Sequence, residues 1–224
     1  MMARMTLILS LSAFPFVLAD EAVERLTQAK TVFEEVMATP DKGIPRDLLA
    51  KAHCVVIVPS LKKGGFIVGA QYGVGVASCR DAQKKGWTAP STVRLEGGSI
   101  GLQIGGGETD VIMLVMNQSG ADKLMKSKFT IGGEGSAMAG PVGRSASAQT
   151  DAYMRAEILS YSRSRGAFAG VTLNGSSLRP DDGDNKKLYG KEVKHEDLLQ
   201  GRVPAPASAN DLLATLTRYS VAEK

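Results

Sequence analysis

Gly97-Gly98-Ser99-Ile100-Gly101 carries the G-x-S-x-G spacing in which a serine hydroxyl can act as an acyl-transfer nucleophile. That role needs a strand before the serine, a helix after it and a base. Here Ile100, Leu102 and Ile104 alternate with other residues as in a strand, and His53 and His195, the only histidines, sit in no recognisable context. Cys54, Cys79 and the histidines show no C-x-x-C or H-E-x-x-H spacing for zinc. Asp181-Asp182-Gly183-Asp184 lacks the remaining spacing and terminal glutamate of a calcium loop, and reads as a turn with a helix cap. Phosphate-loop and dinucleotide fingerprints are absent as well. The expectation is a chain without catalytic residues, metal or cofactor.

What remains is charge and thiol chemistry. The net charge is +4 with a pI near 9.0, and taking out the first 19 residues, which carry Arg4 and no acid, leaves +3. This suits an anionic membrane surface but is too weak to argue for nucleic acid. Lys62, Lys63, Arg80, Lys84, Lys85 and Arg144, with Lys123, Lys126 and Lys128, fall in or near predicted turns, where long basic side chains can reach head groups. The cysteines leave two outcomes open. Their even number favours a Cys54–Cys79 disulfide in an oxidising compartment. A plain hairpin turning at Lys62-Lys63 would instead set Cys54 against about residue 71, roughly 26 Å from Cys79, so the bond requires a bend at Gly73 or Gly75 or a different pairing.

The elements that would position these groups follow from periodicity. Residues 1–19 read as a signal peptide, with Arg4, an apolar Leu7–Leu18 core and small residues before a cut that leaves Asp20 first. From Asp20 to Thr39, Val23, Leu26, Phe33, Val36 and Met37 make an amphipathic helix whose apolar stripe covers a sheet, and a short helix spans Arg46 to Ala52. Cys54 to Val58 reads as a strand, Ser60 to Gly65 as a turn, and Phe66 to Cys79 as a long strand with Phe66, Val68, Ala70, Tyr72, Val74 and Val76 on one face. The other face bears Gly69, Gly73 and Gly75, which points to close packing or a bend. Further strands are expected from Trp87 to Glu96, ended by Gly97-Gly98, then at Ser99–Gly105, Thr109–Met116, Tyr153–Arg165 and Phe168–Leu173. Asn117 is expected to cap a helix to Lys126, Asn174-Gly175 to mark a hairpin, and Asp211–Tyr219 to form a last helix. A hydrophobic content of 43% and 25 glycines favour one strand-rich globular domain.

Val58-Pro59-Ser60 with Lys63-Gly64-Gly65-Phe66, Gly86-Trp87-Thr88-Ala89-Pro90, Gly101-Leu102-Gln103-Ile104-Gly105, Thr109-Asp110, Ala139-Gly140-Pro141-Val142-Gly143-Arg144 and Tyr161-Ser162-Arg163-Ser164-Arg165-Gly166 occur in an order that resembles the SYLF domain family. The resemblance, closest to the exported bacterial branch, covers about residues 21–191. It implies an α+β fold: a single strand-rich domain with a mainly antiparallel sheet, an amphipathic N-terminal helix and short C-terminal helices. Eukaryotic relatives, a yeast actin-patch protein among them, bind phosphoinositide membranes and in some cases actin; bacterial ones are described as lipid-binding. The organisation expected is a signal peptide at 1–19, a SYLF-like domain at 20–191 and a linker with a helix at 192–224. The expected function is an exported, non-enzymatic membrane-lipid binder, periplasmic or secreted, contacting anionic head groups through Lys62, Lys63, Arg80, Lys84, Lys85 and Arg144. The alternative is a structural or protein-interaction module of the cell envelope. The acidic first helix and the signal peptide argue against an actin partner.

Overall fold

A computed structural model describes residues 16–38, 43–66, 68–81, 86–100, 107–133, 135–143, 153, 155–164 and 167–220. In chain order the elements are α1 (Phe16–Met37), α2 (Arg46–Lys51), β1 (Cys54–Phe66), β2 (Val68–Cys79), β3 (Ser91–Ile100), β4 (Gly107–Val115), α3 (Gln118–Leu124), β5 (Phe129–Thr130) and β6 (Ala137–Ala139). They continue as β7 (Ile158–Ser164), β8 (Ala167–Gly170), β9 (Ser177–Pro180), α4 (Asp182–Tyr189), α5 (His195–Leu199), a 3-10 turn (Ala207–Ala209) and α6 (Asn210–Tyr219). The fold is α+β. Nine strands form one sheet in the order β5-β9-β3-β2-β1-β4-β7-β6, with β8 also on β7. β6 pairs with β7 in parallel, and the other strand pairs are antiparallel. The short connection from β5 to β6, which holds a bridge from Ile131 to Gly135, links the two ends of this strand order, so the sheet is curled.

Curling gives the sheet two apolar faces. Val56, Val58, Leu61, Val93, Leu95, Val111, Met113, Phe129 and Leu178 fill the inside. Val55, Ile57, Val76, Ile112 and Leu114 face outward, under Leu26, Ala29 and Phe33 of α1 and Leu212 and Leu216 of α6. The unbroken apolar runs at 54–58 and 111–115 are therefore strands whose alternate side chains enter different cores. The stripe of α1 lies on this sheet, and the helix begins at Phe16, ahead of the expected Asp20. The C-terminal segment joins the same packing, since Leu198, Leu199, Leu212 and Leu216 are buried.

The largest departure from expectation concerns β1. It runs straight through the presumed Ser60–Gly65 turn to Phe66, and the hairpin closes at the Phe66–Val68 pair. A bulge absorbs the irregularity. Between the Val58–Val111 and Leu61–Thr109 pairs, Pro59 and Ser60 together oppose Asp110. Pro59 has no N–H to give, Ser60 takes a left-handed φ of 48°, and its N–H donates to Asp110 Oδ1 at 3.0 Å. On the other side the bulge lies over the bare glycines of β2. A Cβ on Gly73 would stand 2.7 Å from Val58 Cγ1, and one on Gly75 would stand 2.7 Å from Val58 Cα and strike the Ile57 carbonyl oxygen. The glycine face is thus a packing surface for β1.

The corrected hairpin puts Cys54 directly opposite Cys79, with Cα atoms 3.9 Å apart, and a disulfide joins them. Other corrections are local. Trp87 makes a single bridge to Arg80, and β3 begins only at Ser91. Gly97-Gly98 does not turn the chain, because β3 continues to Ile100. Asn174-Gly175 is a turn, with Gly175 at φ 84°, yet β8 and β9 are not partners; β9 pairs with β3 and β5. Asn117 caps α3 by accepting from the Gly120 N–H, and Asp181 caps α4 by accepting from the Asp184 N–H. Of the expected strand at Ser99–Gly105, Ser99 and Ile100 belong to β3 and the rest lies outside the described residues.

Candidate functional site

Arg80 does not reach outward. Its guanidinium stacks 4.2 Å over the Trp87 ring and donates to the carbonyls of Leu49, Ala50 and Ala52 at the end of α2, and to Ser220 Oγ after α6. It is a clamp between α2, the sheet and the C-terminus, and the expectation that it contacts a surface is corrected accordingly. Lys84, Lys85 and Arg144 lie outside the described residues. Lys123 is paired with Glu157 at 2.7 Å, while Lys126 and Lys128 are exposed between α3 and β5.

Lys62 and Lys63 stand on β1 rather than in a turn, and this changes their neighbours. Pairing across the sheet sets Glu108, Lys62, Tyr72, Glu96 and Ser177 in one row over β4, β1, β2, β3 and β9. Direct cross-strand partners share a face, and this face is the one α1 covers further along, at Val76. Beyond the reach of α1 the row is open: Lys62 is exposed and Tyr72 keeps 48% of its surface. Lys63 points to the other face, half-buried beside Gln71, and burial pulls its ammonium pKa down. The hairpin ends four pairs beyond Lys62–Tyr72, at Phe66 and Val68, and the sequence there reads Phe66-Ile67-Val68. An exposed tyrosine and lysine thus stand at the free end of the sheet, where the chain is apolar.

Next to Lys62, at the bulge, a cavity of about 380 Å³ is lined by Glu35, Ser60, Glu108, Asp110 and Arg163. Arg163 of β7 donates to Asp110 Oδ2 through Nε at 3.0 Å and Nη2 at 2.8 Å, and also pairs with Glu35 of α1. Asp110 in turn holds the Ser60 N–H. The set ties the last turn of α1 to the bulge, so its polar groups already serve one another.

Catalytic chemistry finds no frame at Ser99. The residue pairs with Gly69 within antiparallel β3, where a nucleophile elbow would need a strand-to-helix turn. His195 instead meets Ser91, which sequence reasoning passed over. Its Nε2 lies 2.9 Å from the Leu124 carbonyl, which only accepts, so Nε2 carries the proton and Nδ1 accepts from Ser91 Oγ at 2.6 Å. Asn185 Nδ2 donates to Ser91 Oγ at 3.1 Å. Ser91 and His195 are 0% and 5% exposed, so the pair locks α5 to β3 inside the packing. Among the described residues no three His, Cys, Asp or Glu side chains are grouped to hold a metal. No described helix is long and apolar enough to cross a membrane.

Burial holds the His195 imidazole below its ordinary pKa of 6.5, outweighing the Leu124 carbonyl and Asp182, which act in the opposite direction. The folded ring stays neutral at pH values where the unfolded ring has taken a proton. Its contribution is complete above pH 6.5 and is lost as pH falls through the depressed folded value. Urea unfolding at pH 7.5 and 5.5 is expected to show a larger loss for the natural chain than for His195→Gln. Equal losses would refute the assignment.

Comparison with known proteins finds relatives of this chain. A family model described as Ysc84, Las17-binding protein actin regulator, matches residues 96–219. SH3 domain-containing YSC84-like protein 1 is 34% identical over 182 residues in both rat and human, covering 81% of this chain and 53% of the relative. LAS seventeen-binding protein 3 of Saccharomyces cerevisiae is 34% identical over 180 residues, covering 79% of this chain and 39% of the relative. The chain therefore spans about half or less of the length of these relatives. With the family model matching more than half of its residues, the chain belongs to the Ysc84 family, the SYLF-domain family its ordered motifs resemble.

Proposed function

We propose that this chain is a non-enzymatic, exported module that binds the surface of an anionic membrane through the open end of its sheet. The observation that carries the reading is the exposed Lys62–Tyr72 pair beyond α1, at the end of the hairpin where the sequence is apolar. Tyrosine suits the interface between head groups and chains, and lysine beside it can reach phosphates while its stem covers apolar surface. Lys63 faces the other side of the sheet, so Lys84, Lys85 and Arg144 remain the candidates for the further charges that useful affinity requires. Each basic residue near such a surface is worth about 1 kcal/mol. Reversing the charge in Lys62→Glu is expected to weaken binding about 30-fold at low ionic strength, from roughly 2 kcal/mol. Co-sedimentation with vesicles of phosphatidylcholine, with and without phosphatidylglycerol and over a salt series, measures this. Absence of binding to anionic vesicles at low salt would overturn the proposal.

A protein-interaction module is the second reading. It is favoured by the mixed charges of Glu108, Lys62 and Glu96 around Tyr72, and by a relative named as binding Las17. A partner retained on the purified chain in lipid-free buffer, and lost with Tyr72→Ala, would support it.

A further inference from the structure

The inner face of the sheet carries a lysine at its open end. Lys63 stands two residues beyond Leu61, which lies in the inner core, so it points the same way, into the mouth of the curled sheet. The row that crosses the strands there is Gly107, Lys63, Gln71 and Gly97, on β4, β1, β2 and β3. Its other members carry no charge, because Glu108 and Glu96 belong to the outer row with Lys62. Gln71 is buried and donates its Nε2 to Ser176 Oγ, which packs against Gly97. Lys30, Lys123, Lys186 and Lys187 each meet a carboxylate. Lys63, half-buried, makes no hydrogen bond or ion pair among the described residues. A Cβ on Gly107, its partner on β4, would meet nothing within 4 Å, so a lane stays open beside the amine.

An ammonium left half-buried without a counter-ion is held there at a cost, and shedding its proton removes that cost. Burial draws this amine below its ordinary 10.5, and no carboxylate opposes it. A neutral lysine amine is a nucleophile toward carbonyl carbon. We propose that Lys63 is a covalent capture site for small aldehydes, which it holds reversibly as an imine. The nitrogen lone pair attacks the carbonyl carbon, the oxygen takes up a proton as the nitrogen gives one up, and the carbinolamine loses water as the C=N bond forms. Each aldehyde taken up releases one water, with no oxidation or reduction. The surroundings suit this product. An imine is uncharged and needs no counter-ion, whereas a carbamate formed from carbon dioxide would be an anion in a row that holds no cation to pair it. The capture needs no bilayer, so it stands or falls apart from the membrane reading.

The test uses the full chain, acetaldehyde as the probe and cyanoborohydride, which reduces an imine to a stable secondary amine faster than it reduces the aldehyde. Peptide mapping by mass spectrometry then reads N-ethyl groups lysine by lysine. At pH 7 Lys63 is expected to be labelled at least about threefold faster than Lys62, its exposed neighbour on the same strand. In guanidinium chloride, where burial is gone, the two should react alike. Gly107→Glu sets a carboxylate directly opposite Lys63, at a position with room for it, and the ion pair should hold the amine protonated. Labelling of Lys63 should then fall to that of Lys62 or below, with the unfolding temperature showing that the variant is folded. Should that variant fail to fold, the folded and denatured rates of the natural chain decide alone. Labelling of Lys63 no faster than that of Lys62 in the folded chain would overturn the proposal. So would an advantage that survives denaturation, or one that folded Gly107→Glu leaves unchanged.

Discussion

Gly75→Ala is expected to destabilise the chain by about 3 kcal/mol, the upper range for forcing an extra methyl into packed structure. The position has no room because its obstacle is backbone. The new Cβ would stand 2.7 Å from Val58 Cα and against the Ile57 carbonyl oxygen, neither of which can rotate aside. Relief would require lifting the β1 bulge, and that segment is pinned on its far side by the Ser60 N–H to Asp110 and by Arg163 on Asp110. Gly64→Ala is the matched control. Nothing lies within 4 Å of a Cβ there, so its effect should stay within about 0.5 kcal/mol. Urea midpoints at unchanged slope measure both. Equal midpoints for the two variants would show that the bulge yields and that the glycine face is not a packing surface.

The features legible in the sequence are those whose causes are local. The apolar runs at 54–58 and 111–115, the stripe of α1 and the caps at Asn117 and Asp181 each follow from neighbouring residue types, and each is where periodicity puts it. The hairpin turn was misplaced for a physical reason. Lys62-Lys63-Gly64-Gly65 has turn composition, but Pro59-Ser60 discharges the irregularity as a bulge, and pairing with β4 keeps β1 extended to Phe66. β6 and β9 were missed because short strands are stabilised by distant partners, Ile158 to Ser160 for one and Val93 to Glu96 for the other. Among the candidate site residues, Lys62 is exposed and Arg80 is turned inward. Residue type cannot separate them: a long cationic side chain reads the same whether it meets water or three helix-end carbonyls.

Removing the disulfide with Cys54→Ala/Cys79→Ala is expected to lower stability by about 3 kcal/mol, as the entropy of closing a loop of this size implies. The two cysteines are 25 positions apart, and both are buried, at 0% and 4% exposure, on the inner face of the sheet. Two consequences separate this bond from a dispensable one. It ties β1 to β2 at the end opposite the Phe66–Val68 turn, so the bulge and the glycine contacts lie inside a closed loop and cannot slip in register. It is also shielded, so mild reductant should leave the folded chain untouched and act only once urea opens the sheet. Thiol titration without reductant should give no free thiol either before or after unfolding, and with reductant two thiols only after unfolding. Urea midpoints of the double alanine variant supply the stability. Two reactive thiols in the unreduced protein, or a variant as stable as the natural chain, would remove the bond from the forces that set this register and leave the bulge and Gly75 to hold it alone.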